Sequence, residues 1–260
     1  MTAYRGRRAA TIDNGTLRVT VLEEGGHIAE IRDLASGINP LWTPEWPSIE
    51  PSTYKAANDT VYGANAESSL LAGIMGHNLC LDIFGAPSAD EAAAGLPVHG
   101  ETGVTTFTLE TVGRSIEMHA VLPAAQLRVE RRIDLGGLDG RTVRVRESVE
   151  NLTSTDRPVG WTEHVTIGPP FLENGVTEVH VPTDRSLVYP ESFGAAGYLV
   201  PGAEFTWPHA PALAGGTVDL RRYPSAAASG GYTAHRLDPA REDACFITYS
   251  KTAGLAFGYV

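Results

Sequence analysis

Two cysteines in 260 residues, Cys80 and Cys245, are too few for a disulfide framework and too far apart for a metal knuckle of the C-x-x-C kind. They read as buried thiols in a reducing compartment, so the expected location is the cytoplasm. No uninterrupted apolar run approaches the ~20 residues of a transmembrane helix. The N-terminal stretch "MTAYRGRRAATIDNG" follows its Arg7-Arg8 pair with short polar and turn-forming residues in place of an apolar export segment. Positive charge is also scarce: 20 basic residues against 31 acidic ones leave a net charge of −11. Such a surface opposes phosphate backbones and anionic lipid, so neither nucleic acid nor a membrane is expected as a partner. Helical periodicity is nearly missing. Only 66–74 and 88–95 suit short helices, the second with Ser88 and Glu91 in capping-box register.

What is present is alternation. With 42% hydrophobic and 20% charged residues the chain has the composition of a folded domain. Period-two patterns run through 16–22, 27–34, 104–110, 115–122, 126–134, 141–150, 176–181, 217–223 and 244–250. Gly25-Gly26, Gly136-Gly137, Asp139-Gly140 and Asn174-Gly175 supply the positive φ angles of tight turns between them. Short strands joined by short turns give an antiparallel meander. Two irregular aromatic stretches, 38–54 and 189–216, interrupt it and are suited to capping the sheets or shaping a binding surface. Without a linker or internal repeat, the expectation is all-β: one domain over 1–260, built as a large antiparallel β-sandwich.

Three histidines have glycine- or proline-marked neighbours: His77 in "GIMGHNLCLDIFG", His99 in "GLPVHGETG" and His164 in "WTEHVTIGPPFL". His27, His119 and His180 alternate with apolar residues inside strands and read as ordinary strand histidines; His209 and His235 lie in loops and receive no role. Pro97 and Gly100 turn the backbone sharply around His99, leaving it either facing a concavity or bonded to a loop carbonyl. Trp161, Val165 and Ile167 mark one face of their strand as apolar, which sets His164 on the other beside Thr162 and Thr166. A histidine of ordinary pKa can give or take a proton near neutrality. Glu163 points away from His164 in a regular strand and is either a supporting group or a solvated carboxylate. Glu147 shares a face with Val143, Val145 and Val149, so it is either paired with an arginine or lining a polar groove. Trp42, Trp46, Trp161, Trp207, Tyr189 and Phe193 could pack on the C–H face of a sugar ring, though most aromatics in a sandwich are core.

The order "NGTLRVTVLEEGGHIAEIRD", a glycine-bounded "GHN", "PVHGETG" and "ESVENLTSTDRPVGWTEHVTIGPPFL", over about residues 14 to 190, resembles the aldose 1-epimerase (galactose mutarotase) superfamily. The resemblance implies a supersandwich with a sugar site on a concave sheet and a small-molecule sugar as partner. It further implies anomer interconversion by acid/base ring opening, with neither cofactor nor metal. His99 matches the family's sugar-contacting histidine and His164 the one that protonates the ring oxygen. The substrate-binding set expected around them is His77, Asn78, Glu101, Trp161 and Glu163. A non-catalytic carbohydrate-binding or sensing protein on the same scaffold is the alternative. A metal site built from His77, His99 and His164 with Asp82 or Glu101 would suit zinc, but the spacing contains no local metal motif.

Three departures bear on the resemblance. "GHNLCLD" has no arginine where the family carries an asparagine-arginine pair. Thr233 stands at the position of a substrate-binding aspartate, and the family's basic glutamate has no counterpart before Val260. The expectation is a chain that stops short of the family's last strands; another base, such as Glu101 or Asp82, and loss of catalysis stay open.

Overall fold

The computed structural model describes residues 2–55, 57, 59–136, 140–191, 196–222, 230–238 and 240–260. Phe193, Tyr223 and the turn residues Gly137 and Asp139 lie outside these. The chain divides into two compact units, Met1–Pro169 and Pro170–Val260.

The first unit opens with a meander of β1 (Thr2–Tyr4), β2 (Arg7–Asp13), β3 (Leu17–Leu22) and β4 (Ile28–Asp33), and continues to β5 (His77–Leu81). A four-stranded antiparallel sheet follows: β6 (Thr108–Val112), β7 (Ser115–Leu122), β8 (Leu127–Gly136) and β9 (Thr142–Asn151). Then β10 (Trp161–Val165) returns to pair with β5, making the first sheet six-stranded in the order β1-β2-β3-β4-β5-β10. The alternation of β8 converts directly into burial. Leu127, Val129, Ile133 and Leu135 are enclosed while Arg128 and Glu130 face out, and β7 matches it with Ile116, Met118, Ala120 and Leu122. Each such side chain contributes roughly 1.5–3 kcal/mol on burial. β2 packs on β6 and β7, so the two sheets meet face to face as a sandwich. β3 is covered on both sides: Val19 and Val21 face one way, and Leu22 joins Ala9, Ala29 and Met75 on the other.

Among the described residues, three short helices decorate this unit: α1 (Asp59–Tyr62), α2 (Ser68–Gly73) and α3 (Ala89–Ala93). The last begins with the expected capping box: Ser88 accepts from the Glu91 backbone, and Glu91 from that of Ser88. Single 3-10 turns occupy Pro51–Thr53 and Glu101–Val104. The alternating segments 16–22, 27–34, 115–122, 126–134 and 141–150 all become strands, whereas β1, β2 and β5 arise where no alternation was legible.

Among its described residues the second unit carries three small antiparallel sheets. Its strands are β11 (Glu178–His180), β12 (Thr183–Val188), β13 (Glu204–Phe205), β14 (His209–Pro211), β15 (Thr217–Asp219), β16 (Thr233–Leu237), β17 (Phe246–Ser250) and β18 (Leu255–Tyr259). They pair as β11-β17-β18, β13-β12-β16 and β14-β15. Val188, Leu199 and Ala210 form the centre of one cluster, with Tyr198, Phe205 and Val218 packed around it. The stretch 189–216, irregular by sequence, therefore contains β13 and β14. Among the described residues, no helix is long and apolar enough to cross a membrane.

Candidate active site

The antiparallel register of β5 and β10 pairs His164 with Asn78 and Thr162 with Cys80, while Glu163 pairs with Leu79 and Val165 with His77. Directly paired residues project to the same side of a sheet. One face therefore carries Asn78, Cys80, Thr162 and His164; the other carries His77, Trp161 and Glu163.

The connection after α3 brings His99 to the first face. His99 adopts φ +62 and Gly100 φ +78, two successive left-handed residues. The backbone N–H of His99 donates to the Gly85 carbonyl at 3.0 Å, and the Gly85 N–H donates back to His99 Nδ1 at 3.1 Å. A Cβ on Gly100 would sit 2.3 Å from the Leu81 carbonyl oxygen. Gly100→Ala is therefore expected to lower stability by about 2 kcal/mol or more, read as a fall in Tm. Behind this turn, the Thr102 hydroxyl donates to the Leu79 carbonyl and locks the segment to β5.

The result is a ring cluster. The imidazoles of His99 and His164 lie 5.4 Å apart between centroids, and Phe84 contacts both, at 4.9 and 5.3 Å. Burial holds the His164 pKa below its usual value, and the nearby His99 and His77 push it the same way. Burial also lowers His99, opposed by the carboxylate of Glu67 at the start of α2. Both rings are thus neutral at neutral pH. The Gly85 N–H requires a lone pair on His99 Nδ1, so the ring proton of His99 sits on Nε2 and is a donor. Among the described residues His164 Nδ1 is enclosed without a hydrogen-bond partner, which leaves Nε2 as the nitrogen for a ligand. Asn78 is 2% exposed, and neither its amide oxygen nor its nitrogen has a partner among the described residues.

Cys80, His99 and His164 place one potential metal-binding atom each within 4.8 Å of the others. The tautomer argues against that use. His99 Nδ1 has committed its lone pair to Gly85, and Nε2, carrying the proton, has none to give unless the ring becomes imidazolate. Burial, with Glu163 adding to it, pushes the Cys80 thiol up to about 12, so in the metal-free protein it keeps its proton.

The carboxylates considered as bases are engaged elsewhere. Glu101 is buried and accepts from the Ala125 backbone at 2.6 Å; Asp82 accepts from Arg157 Nη1 with both oxygens at 3.0 Å. Of the sequence-derived set, the structure brings His99, His164 and Asn78 together. It sets His77, Trp161 and Glu163 across the sheet from them, where His77 Nε2 meets Glu163 at 2.5 Å. The sequence marks Cys80 only as a buried thiol and gives Phe84 no role. The only signal for Phe84 was its place before Gly85, whose φ of +104 lets the chain turn back toward His99.

No family model matches the sequence, and no curated protein does. Among solved structures, a galactose mutarotase-like protein from Lactobacillus casei ATCC 334 is similar at 14% identity and a TM-score of 0.52, over 82% of this chain and 67% of that one. A galactose mutarotase related enzyme from Lactobacillus acidophilus aligns at 12% identity and a TM-score of 0.49, over 94% and 74%. At such identity the first likeness speaks for architecture alone, and architecture is what it shares with the strand order and the sandwich described above: this chain has the galactose mutarotase-like fold.

Proposed function

We propose that the chain is an aldose 1-epimerase-type isomerase that interconverts the anomers of a neutral aldose or modified sugar. The observation that carries this reading is the facing pair of neutral imidazoles, His99 and His164, beside the unsatisfied amide of Asn78. A sugar hydroxyl both donates and accepts, so one hydroxyl can satisfy both ends of that amide.

The chemistry needs no separate carboxylate. The anomeric hydroxyl and the ring oxygen are both bonded to C1, so one nitrogen can serve both. His164 Nε2 takes the proton from the anomeric hydroxyl as the C1–ring oxygen bond breaks. The resulting imidazolium returns that proton to the ring oxygen, giving the open aldehyde. Rotation about C1–C2 and the reverse transfer close the ring as the other anomer. His99 Nε2–H donates to the oxygen on which negative charge develops, as a neutral imidazole can. Proton count is conserved and no redox step occurs, so no cofactor is called for. Cys80 and Cys245 are unpaired, which suits a reducing cytoplasm.

The test is anomer equilibration of free aldoses, followed by polarimetry or NMR against pH. His164 must start neutral and its pKa lies below 6.5, so kcat/KM should be flat from neutrality upward and fall about tenfold per unit below that pKa. A rate that rises as the pH falls would instead require an imidazolium at rest, and would overturn the assignment. The engagement of Glu101 and Asp82 favours a second reading, sugar binding without turnover. In that case sugars raise the Tm of the protein without accelerating equilibration.

A further inference from the structure

The opposite face of β10 holds a cluster that the proposed reaction does not use. Trp161 is 46% exposed, yet its indole N–H is shared between Glu163 at 3.0 Å and Glu147 at 3.3 Å. Glu163, partly exposed, also accepts from His77 Nε2. Glu147 is enclosed against Arg131, whose Nε donates to it at 2.5 Å and whose Nη1 donates to the Gly26 carbonyl at 2.8 Å. Arg131 itself is 2% exposed, and its Nη2 has no partner among the described residues.

We infer that this face is a second ligand site, which takes a neutral sugar ring with Trp161 as the platform and Glu163 as the principal acceptor of its hydroxyls. An indole surface packs on the C–H face of a sugar, and carboxylates accept from its hydroxyls in charge-assisted bonds. Here the two carboxylates hold the indole edge and His77 holds Glu163, so the ring and the acceptor are oriented before a ligand arrives. Charge restricts the ligand class. The carboxylates repel an anion, and the Arg131 guanidinium beside them opposes a cation. Glu147 is pushed up to about 7, by burial first and then by Glu163, while Arg131 opposes the shift. Near neutrality Glu147 is thus partly protonated and can donate to a hydroxyl as well as accept from one.

This site is independent of the His164 site, and its test keeps the two apart. The indole N–H resonance of Trp161, assigned by its loss in Trp161→Phe, is followed while D-glucose, D-galactose or maltose is added to the full chain. At least one sugar should shift it, equally in wild type and in His164→Gln, and Glu163→Gln should weaken that affinity about tenfold. Absence of a shift with all three sugars overturns the inference. So does a shift that vanishes in His164→Gln, which would mean a single site on the His99 face, or one that Glu163→Gln leaves unchanged. A protein that shifts with sugar in this way but never accelerates anomer exchange keeps the second site and loses the proposed activity.

Discussion

His164→Gln should lower kcat/KM for anomer interconversion by about 10²–10⁴ while leaving the melting temperature close to that of the wild type. That is the range for removing a positioned acid-base group. Glutamine fills a similar volume and can hydrogen-bond but cannot carry the proton, so the loss reports proton transfer and not packing. The imidazolium formed in the reaction would carry an Nδ1–H enclosed without an acceptor among the described residues. Burial, with His99 and His77 alongside, disfavours the charged ring and lowers its pKa. The same destabilisation makes it a stronger acid, as protonating a weakly basic ring oxygen requires. Polarimetry with a freshly dissolved single anomer measures the rate. Turnover within threefold of the wild type would remove His164 from the mechanism.

Legibility in the sequence tracked one-sided burial. β8 could be read because one of its faces is core and the other is solvent, which writes period two into Leu127, Val129, Ile133 and Leu135. β5 could not, since His77, Asn78, Leu79, Cys80 and Leu81 are all buried and a strand covered on both faces has no alternation to show. For the site, parity along β10 was enough to separate Glu163 from His164. Parity separates Trp161 in the same way, but whether His77 or Asn78 joined the imidazoles depended on the pairing of β5 with β10, a contact between segments some eighty residues apart that neither strand encodes alone. Glu147 was visible as an anomaly among valines, and its partner proved to be Arg131. The two sit opposite each other in the β8–β9 hairpin, so the partner follows only once the register is known.

The Arg7-Arg8 pair carries no sign in the sequence that one of its two members is buried. Arg8 is exposed, but Arg7 is 0% exposed and donates to four groups: Nε to Glu50 at 2.8 Å, Nη1 to Ser48 at 3.1 Å and the Gly73 carbonyl at 2.7 Å, and Nη2 to the Glu24 carbonyl at 2.7 Å. It ties β2 to the end of α2, just ahead of β5, and to the irregular 38–54 stretch. Arg7→Met preserves much of the volume and removes every donor. It strands two carbonyls and weakens the hold on Glu50, so it should cost about 3–5 kcal/mol, the range for breaking a buried ion pair from one side. For a chain of this size that is a fall in Tm on the order of 10 °C by calorimetry. Arg7→Lys should recover only part of it, because an ammonium cannot span acceptors that the planar guanidinium reaches in several directions at once. A lysine variant as stable as the wild type would mean that the charge alone matters and that the four-way geometry contributes nothing.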